Sequence, residues 1–165
     1  MRSQAILIIY FLFHFSVTYS QNKANDIYNP ELNGEKQIKS AIIKAKEESK
    51  NVLIQLGGNW CPWCHRIYQF IENDPEIDSL VNADYVYILV NYSKENKNVN
   101  VLKQLEYPQR FGFPVLIILD SDGRRLNTQN TAYLEQNNSY NRKLIIDFLK
   151  QWNVKALKPS TYHFE

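Results

Sequence analysis

"GGNWCPWCHR" (Gly57 to Arg66) contains both cysteines of the chain. Cys61 and Cys64 stand two residues apart, each follows a tryptophan, and His65 follows the second. The run ahead of them, "NVLIQLGG" (Asn51 to Gly58), is short, mostly apolar and closed by two glycines. That is the pattern of a buried strand with a flexible exit. Pro62 suits the first turn of a helix, and "WCHRIYQFIEN" carries that helix to about Asn73. The pair is therefore expected at a strand-to-helix junction. A bridge between such near neighbours closes a tiny loop, and small loops gain the least from a cross-link. Redox chemistry or a metal explains the spacing better. A structural zinc takes four ligands, and beyond the N-terminal segment only Cys61, Cys64, His65 and the distant His163 supply sulfur or imidazole. Redox chemistry is the stronger reading, and neither a metal nor another cofactor is expected.

Outward from this junction the chain alternates. Residues 21–34 are polar, contain Pro30 and Gly34, and read as an extended lead-in. From Glu35 to Lys50, apolar Ile38, Ala41, Ile42 and Ala45 form the stripe of an amphipathic helix. Asp74-Pro75 interrupts the helix after the cysteines, and "PEIDSLVNA" is a further short helical segment. "DYVYILVNY" (Asp84 to Tyr92) is a second buried strand, and "VNVLKQLEY" (Val99 to Tyr107) has helical spacing up to Pro108. "GFPVLIILD" (Gly112 to Asp120) is a third strand, turned at Asp122-Gly123 into a fourth over about Arg124 to Thr128. "LEQNNSYNRKLIIDFLKQW" supplies the last helix, with Leu144, Ile145, Phe148, Leu149 and Trp152 on one side and Ser139 as its cap. Strands separated by helices argue for parallel pairing, and the hairpin adds an antiparallel edge. An α/β fold is predicted: a central mixed sheet, helices on both faces, and a C-terminal β-hairpin plus helix. The domain spans 35–153 and an irregular tail fills 154–165.

The first twenty residues differ in kind. One charge at Arg2 precedes "AILIIYFLFHFSV" (Ala5 to Val17), followed by small and polar residues. This reads as a signal peptide, 1–20, cleaved after Ser20. The apolar run is shorter than the roughly 20 residues a membrane span needs. An exported, soluble mature chain is expected, periplasmic or secreted. A formal net charge of +2 over 165 residues gives no reason to expect nucleic acid as a partner. Asn91-Tyr92-Ser93 and Asn137-Asn138-Ser139 match the glycosylation pattern, which chance explains in so asparagine-rich a chain.

Taken together, Trp60-Cys61-Pro62-Trp63-Cys64 at the junction and Gly112-Phe113-Pro114 opening a later strand resemble the thioredoxin superfamily. The resemblance covers roughly Glu35 to Trp152, and the W-C-x-W-C-H form is similar to that of secreted bacterial thioredoxin-like proteins. It implies that Cys61 is the nucleophile, Cys64 the resolving cysteine, and Pro114 a cis-proline facing the pair, with the backbone near Phe113 free to pair with an extended substrate. Independent physics supports the first role. Unpaired N–H groups and the dipole at a helix N-terminus favour a thiolate at Cys61. Cys61 is expected to be partly exposed and Cys64 more buried.

Three departures matter. The acidic residue that cytosolic thioredoxins carry six positions before the first cysteine is Gln55 here. The dipeptide between the cysteines is Pro62-Trp63. Phe113 is bulky where the family often has a smaller side chain. His65 is either a positive charge that favours the thiolate or an exposed helix residue. Trp60 is expected as a packed surface residue touching substrate, and Trp63 as exposed beside it. Phe70, Tyr85 and Phe148 read as core, and Arg124-Arg125 as solvated surface. The function these residues imply is reduction or isomerisation of protein disulfides by a monomer that a membrane-bound donor keeps reduced. A dithiol oxidase of the same fold is the alternative, and a non-catalytic module that binds peptides near Pro114 is the reading from another class.

Overall fold

The computed structural model describes residues 26–162; the expected signal peptide, its cleavage point and His163 lie outside them. Helix α1 (Gly34–Glu48) begins where the Asn33 side chain accepts from the Lys36 amide, and ends at Ser49 in a left-handed conformation. Asparagine satisfies a helix start in this way because the first turn has no backbone acceptors for its own N–H groups. Strand β1 (Asn51–Gly57) is buried along its whole length. Helices α2 (Pro62–Asn73) and α3 (Pro75–Asp84) meet at Asp74, which closes the first and caps the second by accepting from the Glu76 and Ile77 amides. Strand β2 (Tyr85–Asn91) and the short helix α4 (Val99–Gln104) follow.

Strands β3 (Val115–Leu119) and β4 (Arg125–Asn130) form the expected hairpin. Gly123 turns it with φ 82°, a conformation that costs a residue with a Cβ. A small second hairpin, β5 (Glu135–Gln136) with β6 (Ser139–Tyr140), precedes helix α5 (Arg142–Gln151).

The main sheet has the order β2-β1-β3-β4. Successive residues of β1 point to opposite faces, as strand geometry requires. Val52, Ile54 and Leu56 face Ile38, Ala41 and Ala45 of α1 and Val101 of α4. Leu53 faces Ile67 and Ile71 of α2, Ile77 of α3 and Phe148 of α5. Helices thus cover both faces, and the near-continuous apolar β1 is explained by burial on both sides.

Four expectations are corrected. Strand β3 pairs antiparallel with β1, and only β1 and β2 are parallel. Helix α4, at about 1.5 Å per residue, is too short to carry the chain back along the sheet, so β3 starts at the end where β2 finishes. Ser139 does not cap the last helix. It lies in β6, and Asn141 caps α5 by accepting from the Leu144 amide. Leu144 is consequently in the first exposed turn, while Ile146 is buried with Ile145, Phe148 and Leu149. Arg125 is not free surface, since it pairs with Glu106 and donates to Thr128.

Arg142 ties α5 to the α2–α3 joint. Its Nε lies 2.6 Å from Asp74 and its Nη2 2.6 Å from Glu76. The hydrogen bond from Arg142 holds both carboxyls below their ordinary range. A carboxyl depressed in the folded state contributes stability above its unfolded pKa and loses it as pH falls through the folded value. Arg142→Gln is therefore expected to lower the thermal midpoint at neutral pH, with the two curves converging in acid. A gap that stays constant with pH would show that these ion pairs contribute nothing.

Candidate active site

The antiparallel placement of β3 determines the site. The end of β1, the start of α2 and the start of β3 all meet at one end of the sheet. Cys61 is the N-cap of α2 and Pro62 its first residue. Cys61 and Cys64 are joined by a disulfide, with Cα atoms 5.2 Å apart. The Cys64 amide donates to Cys61 Sγ at 3.2 Å, so the helix start already directs an N–H at the sulfur expected to carry charge.

Cys61 is 3% exposed and Cys64 fully buried, which corrects the expectation of a partly exposed Cys61. Tyr28 forms one buried cluster with the two cysteines, and Trp63 and Phe113 pack against it. The Phe113–Pro114 peptide bond is cis, and the Thr131 hydroxyl donates to the Pro114 carbonyl at 2.6 Å.

An aromatic ledge borders the pair. Trp60 is 54% exposed. Its indole N–H donates to the Tyr92 carbonyl at 2.7 Å, and its ring meets Phe113 edge-on at 5.4 Å. Tyr92 stacks on Phe113 at 4.8 Å. Trp63 is half-buried rather than exposed, because it packs edge-on against Tyr140 with the Arg66 guanidinium over its ring. His65 points its Nε2 to the Asn59 carbonyl at 3.0 Å, so it ties α2 to the loop before Cys61.

The lead-in is part of the site. Asn59 accepts from the Ile27 and Tyr28 amides and donates to the Tyr28 carbonyl at 2.8 Å. This clamp places Tyr28, 2% exposed, in the buried cluster with Cys61 and Cys64. Buried Gln55 donates to the Tyr28 hydroxyl and to the Cys64 carbonyl, and accepts from the Tyr87 hydroxyl. Burial raises the pKa of both phenols, so they stay neutral.

Sequence reasoning missed Tyr28, Asn59, Tyr87 and Tyr92. The one available signal for the first was Ile27-Tyr28, a bulky apolar pair within an otherwise polar stretch. Asn91 of the first glycosylation match is buried, its amide donating to Ser93 and to the Asn96 carbonyl. Among the described residues no His, Cys, Asp or Glu cluster is placed to hold a metal ion. No helix among them is long and apolar enough to cross a membrane.

A bonded C-x-x-C pair at a helix start, beside a cis-proline strand in a mixed sheet covered on both faces, defines a thioredoxin-like fold. The family model described as a thioredoxin-like domain matches residues 38–142, and the chain belongs to that family. Among solved structures, a disulphide isomerase from Xylella fastidiosa Temecula1 is similar at TM-score 0.67 and 20% identity, covering 76% of this chain and 95% of that one. A thioredoxin from Thermus thermophilus is similar at TM-score 0.54 and 18% identity, covering 77% and 94%. The oxidised C-terminal domain of DsbD from Neisseria meningitidis is similar at TM-score 0.51 and 18% identity, covering 72% and 96%. No curated protein matches the chain.

Proposed function

We propose that this protein is an exported thiol–disulfide oxidoreductase that reduces or isomerises protein disulfides through Cys61 and Cys64. The observation that carries the reading is the bonded pair at the start of α2, with an amide donating to Cys61 Sγ. In the reduced protein the Cys61 thiolate attacks a substrate sulfur. The substrate S–S bond breaks, a Cys61–substrate bond forms, and the leaving sulfur takes a proton from water. Cys64 then loses its proton to water and attacks Cys61 Sγ. The mixed disulfide breaks, the Cys61–Cys64 bond forms, and the second substrate sulfur leaves and is protonated. Two electrons have passed to the substrate, and a membrane-bound dithiol donor restores them. Trp60, Phe113 and Pro114 line the approach, and the backbone at Phe113 pairs with the extended substrate. Trp63 and His65 act from behind, one by packing and the other by holding the loop.

Export rests on Arg2 and the apolar run Ala5 to Val17. The kinship in fold with a disulphide isomerase and a DsbD domain is consistent with protein substrates. The helix start stabilises the Cys61 thiolate, while Pro62 removes one N–H that would otherwise point at the sulfur. An intermediate potential follows, above the roughly −270 mV of a strongly reducing pair and below the roughly −120 mV of a strong oxidant. Redox titration in glutathione buffers, followed by the fluorescence of Trp60 and Trp63, tests it. A value at the oxidising end would replace this reading with that of a dithiol oxidase.

A further inference from the structure

We propose that Tyr28 donates its phenolic hydrogen to the Cys64 sulfur whenever that sulfur carries negative charge. Tyr28 belongs to the segment ahead of α1, remote in sequence from every other group at the site. The proposal rests on the oxidoreductase reading above, since only thiol exchange makes Cys64 an anion.

The hydrogen bonds around Gln55 leave the Tyr28 proton without a partner inside that network. The Cys64 carbonyl only accepts, so the Gln55 atom 3.1 Å from it is the amide nitrogen. The Tyr87 hydroxyl then donates to the Gln55 oxygen, and the second Gln55 N–H donates to the Tyr28 oxygen. Tyr28 is an acceptor in that contact, and its own O–H must point elsewhere. Gly57 locates the alternative. A methyl group built on Gly57 would collide with Cys64 Sγ and lie 2.8 Å from the Tyr28 hydroxyl. The phenol oxygen and the sulfur thus each lie within 3 Å of the same point beside β1, and Tyr28, Cys61 and Cys64 form one buried cluster.

A phenol at this place acts as a donor rather than a base. Burial keeps it protonated, so it holds a hydrogen toward the sulfur through the whole exchange. When a donor thiolate attacks Cys61, the Cys61–Cys64 bond breaks and Cys64 takes the electron pair. The Tyr28 O–H stabilises that charge until water supplies a proton. In the forward direction the same contact favours deprotonation of Cys64, which then attacks the mixed disulfide. Water takes and returns the proton in both cases, and Tyr28 is unchanged.

The titratable groups around the pair are Tyr28, His65, which directs its Nε2 to the Asn59 carbonyl, Tyr92 stacked on Phe113, and beyond them Tyr87 and Tyr140; Tyr28, Glu72, Tyr68 and Tyr140 act on Tyr87, and Glu135 and Arg66 act on Tyr140. Tyr28 is the one of these in the cluster with the sulfurs.

The test measures each thiol alone in the full chain. Cys64 is titrated by thiolate absorbance in a Cys61→Ser background, and Cys61 in a Cys64→Ser background, with and without Tyr28→Phe. Tyr28→Phe keeps the ring and removes only the hydroxyl. Its expected effect is a rise of about one pH unit in the Cys64 midpoint, a tenfold loss of thiolate at fixed pH, with Cys61 unmoved. Tyr87→Phe, which frees the Gln55 amide, is expected to shift Cys64 the same way by less. No shift at Cys64, or equal shifts at both thiols, would reduce Tyr28 to a packing residue and overturn the proposal. Neither titration needs a substrate, so a wild-type chain that fails to reduce protein disulfides refutes the oxidoreductase reading separately.

Discussion

A Cys61→Ser chain is expected to lose disulfide reduction down to the uncatalysed rate, whereas Cys64→Ser keeps the first chemical step and stalls. The difference follows from position. Cys61 is the N-cap of α2 and its sulfur accepts the Cys64 amide, so a thiolate there meets an N–H and the positive end of the helix. Cys64 lies within the first turn, fully buried, and reaches a sulfur only after Cys61 has captured a substrate. A serine hydroxyl at 61 supplies neither a nucleophile at neutral pH nor a sulfur to exchange. A serine at 64 leaves the mixed disulfide with no internal attacker. Incubation with a disulfide-bonded protein, followed by non-reducing mass spectrometry, should show a covalent adduct with Cys64→Ser and none with Cys61→Ser. The opposite pattern would exchange the two roles. Unaltered peptide capture by both variants, with no turnover by the wild type, would favour a binding module.

Much of this arrangement is legible in the sequence because it depends on local signals. The apolar run Asn51 to Gly58, Pro62 after Cys61, and Asp74-Pro75 mark strand, helix start and helix break, and the structure places β1, α2 and α3 within a residue or two of them. The direction of β3 is not local. It depends on how far α4 carries the chain, and a helical pattern over Val99 to Tyr107 overstated a helix that ends at Gln104. Ser139 matched a cap by residue type, but the choice between it and Asn141 depends on the short β5–β6 pairing, which four residues of sequence do not announce.

The floor of the site was hidden for the same reason. Tyr28 reaches the sulfurs through a clamp to Asn59, some thirty positions along, and its surroundings are polar enough to read as linker. In the sequence, Gln55 stands out only for the charge it lacks. Its three hydrogen bonds, to Tyr28, Cys64 and Tyr87, become visible once β1, β2 and the lead-in lie side by side.

Gly57→Ala should both destabilise the fold and move the redox potential toward oxidising values. Gly57 ends β1, paired with Asn91 of β2. An added methyl would strike Cys64 Sγ and lie 2.8 Å from the Tyr28 hydroxyl and 3.3 Å from its ring carbon. Both neighbours are buried, and the disulfide fixes Cys64 Sγ in place. Overpacking of this kind costs about 1–3 kcal/mol. Reduction frees Cys64 Sγ to rotate about its own Cα–Cβ bond, so the penalty falls more heavily on the oxidised form. Whatever destabilises the oxidised form more than the reduced one raises the potential, by about 30 mV for each 1.4 kcal/mol of difference. Gly34→Ala is the control. A methyl there would sit 2.9 Å from Val101 and 3.0 Å from Asn98, at the start of α1 and away from the sulfur cluster. It should cost stability and leave the potential where it was. Denaturant unfolding of oxidised and reduced chains, with glutathione titration of each variant, separates the two effects. A Gly57→Ala protein with wild-type stability and potential would mean that the space beneath Cys64 is not closed.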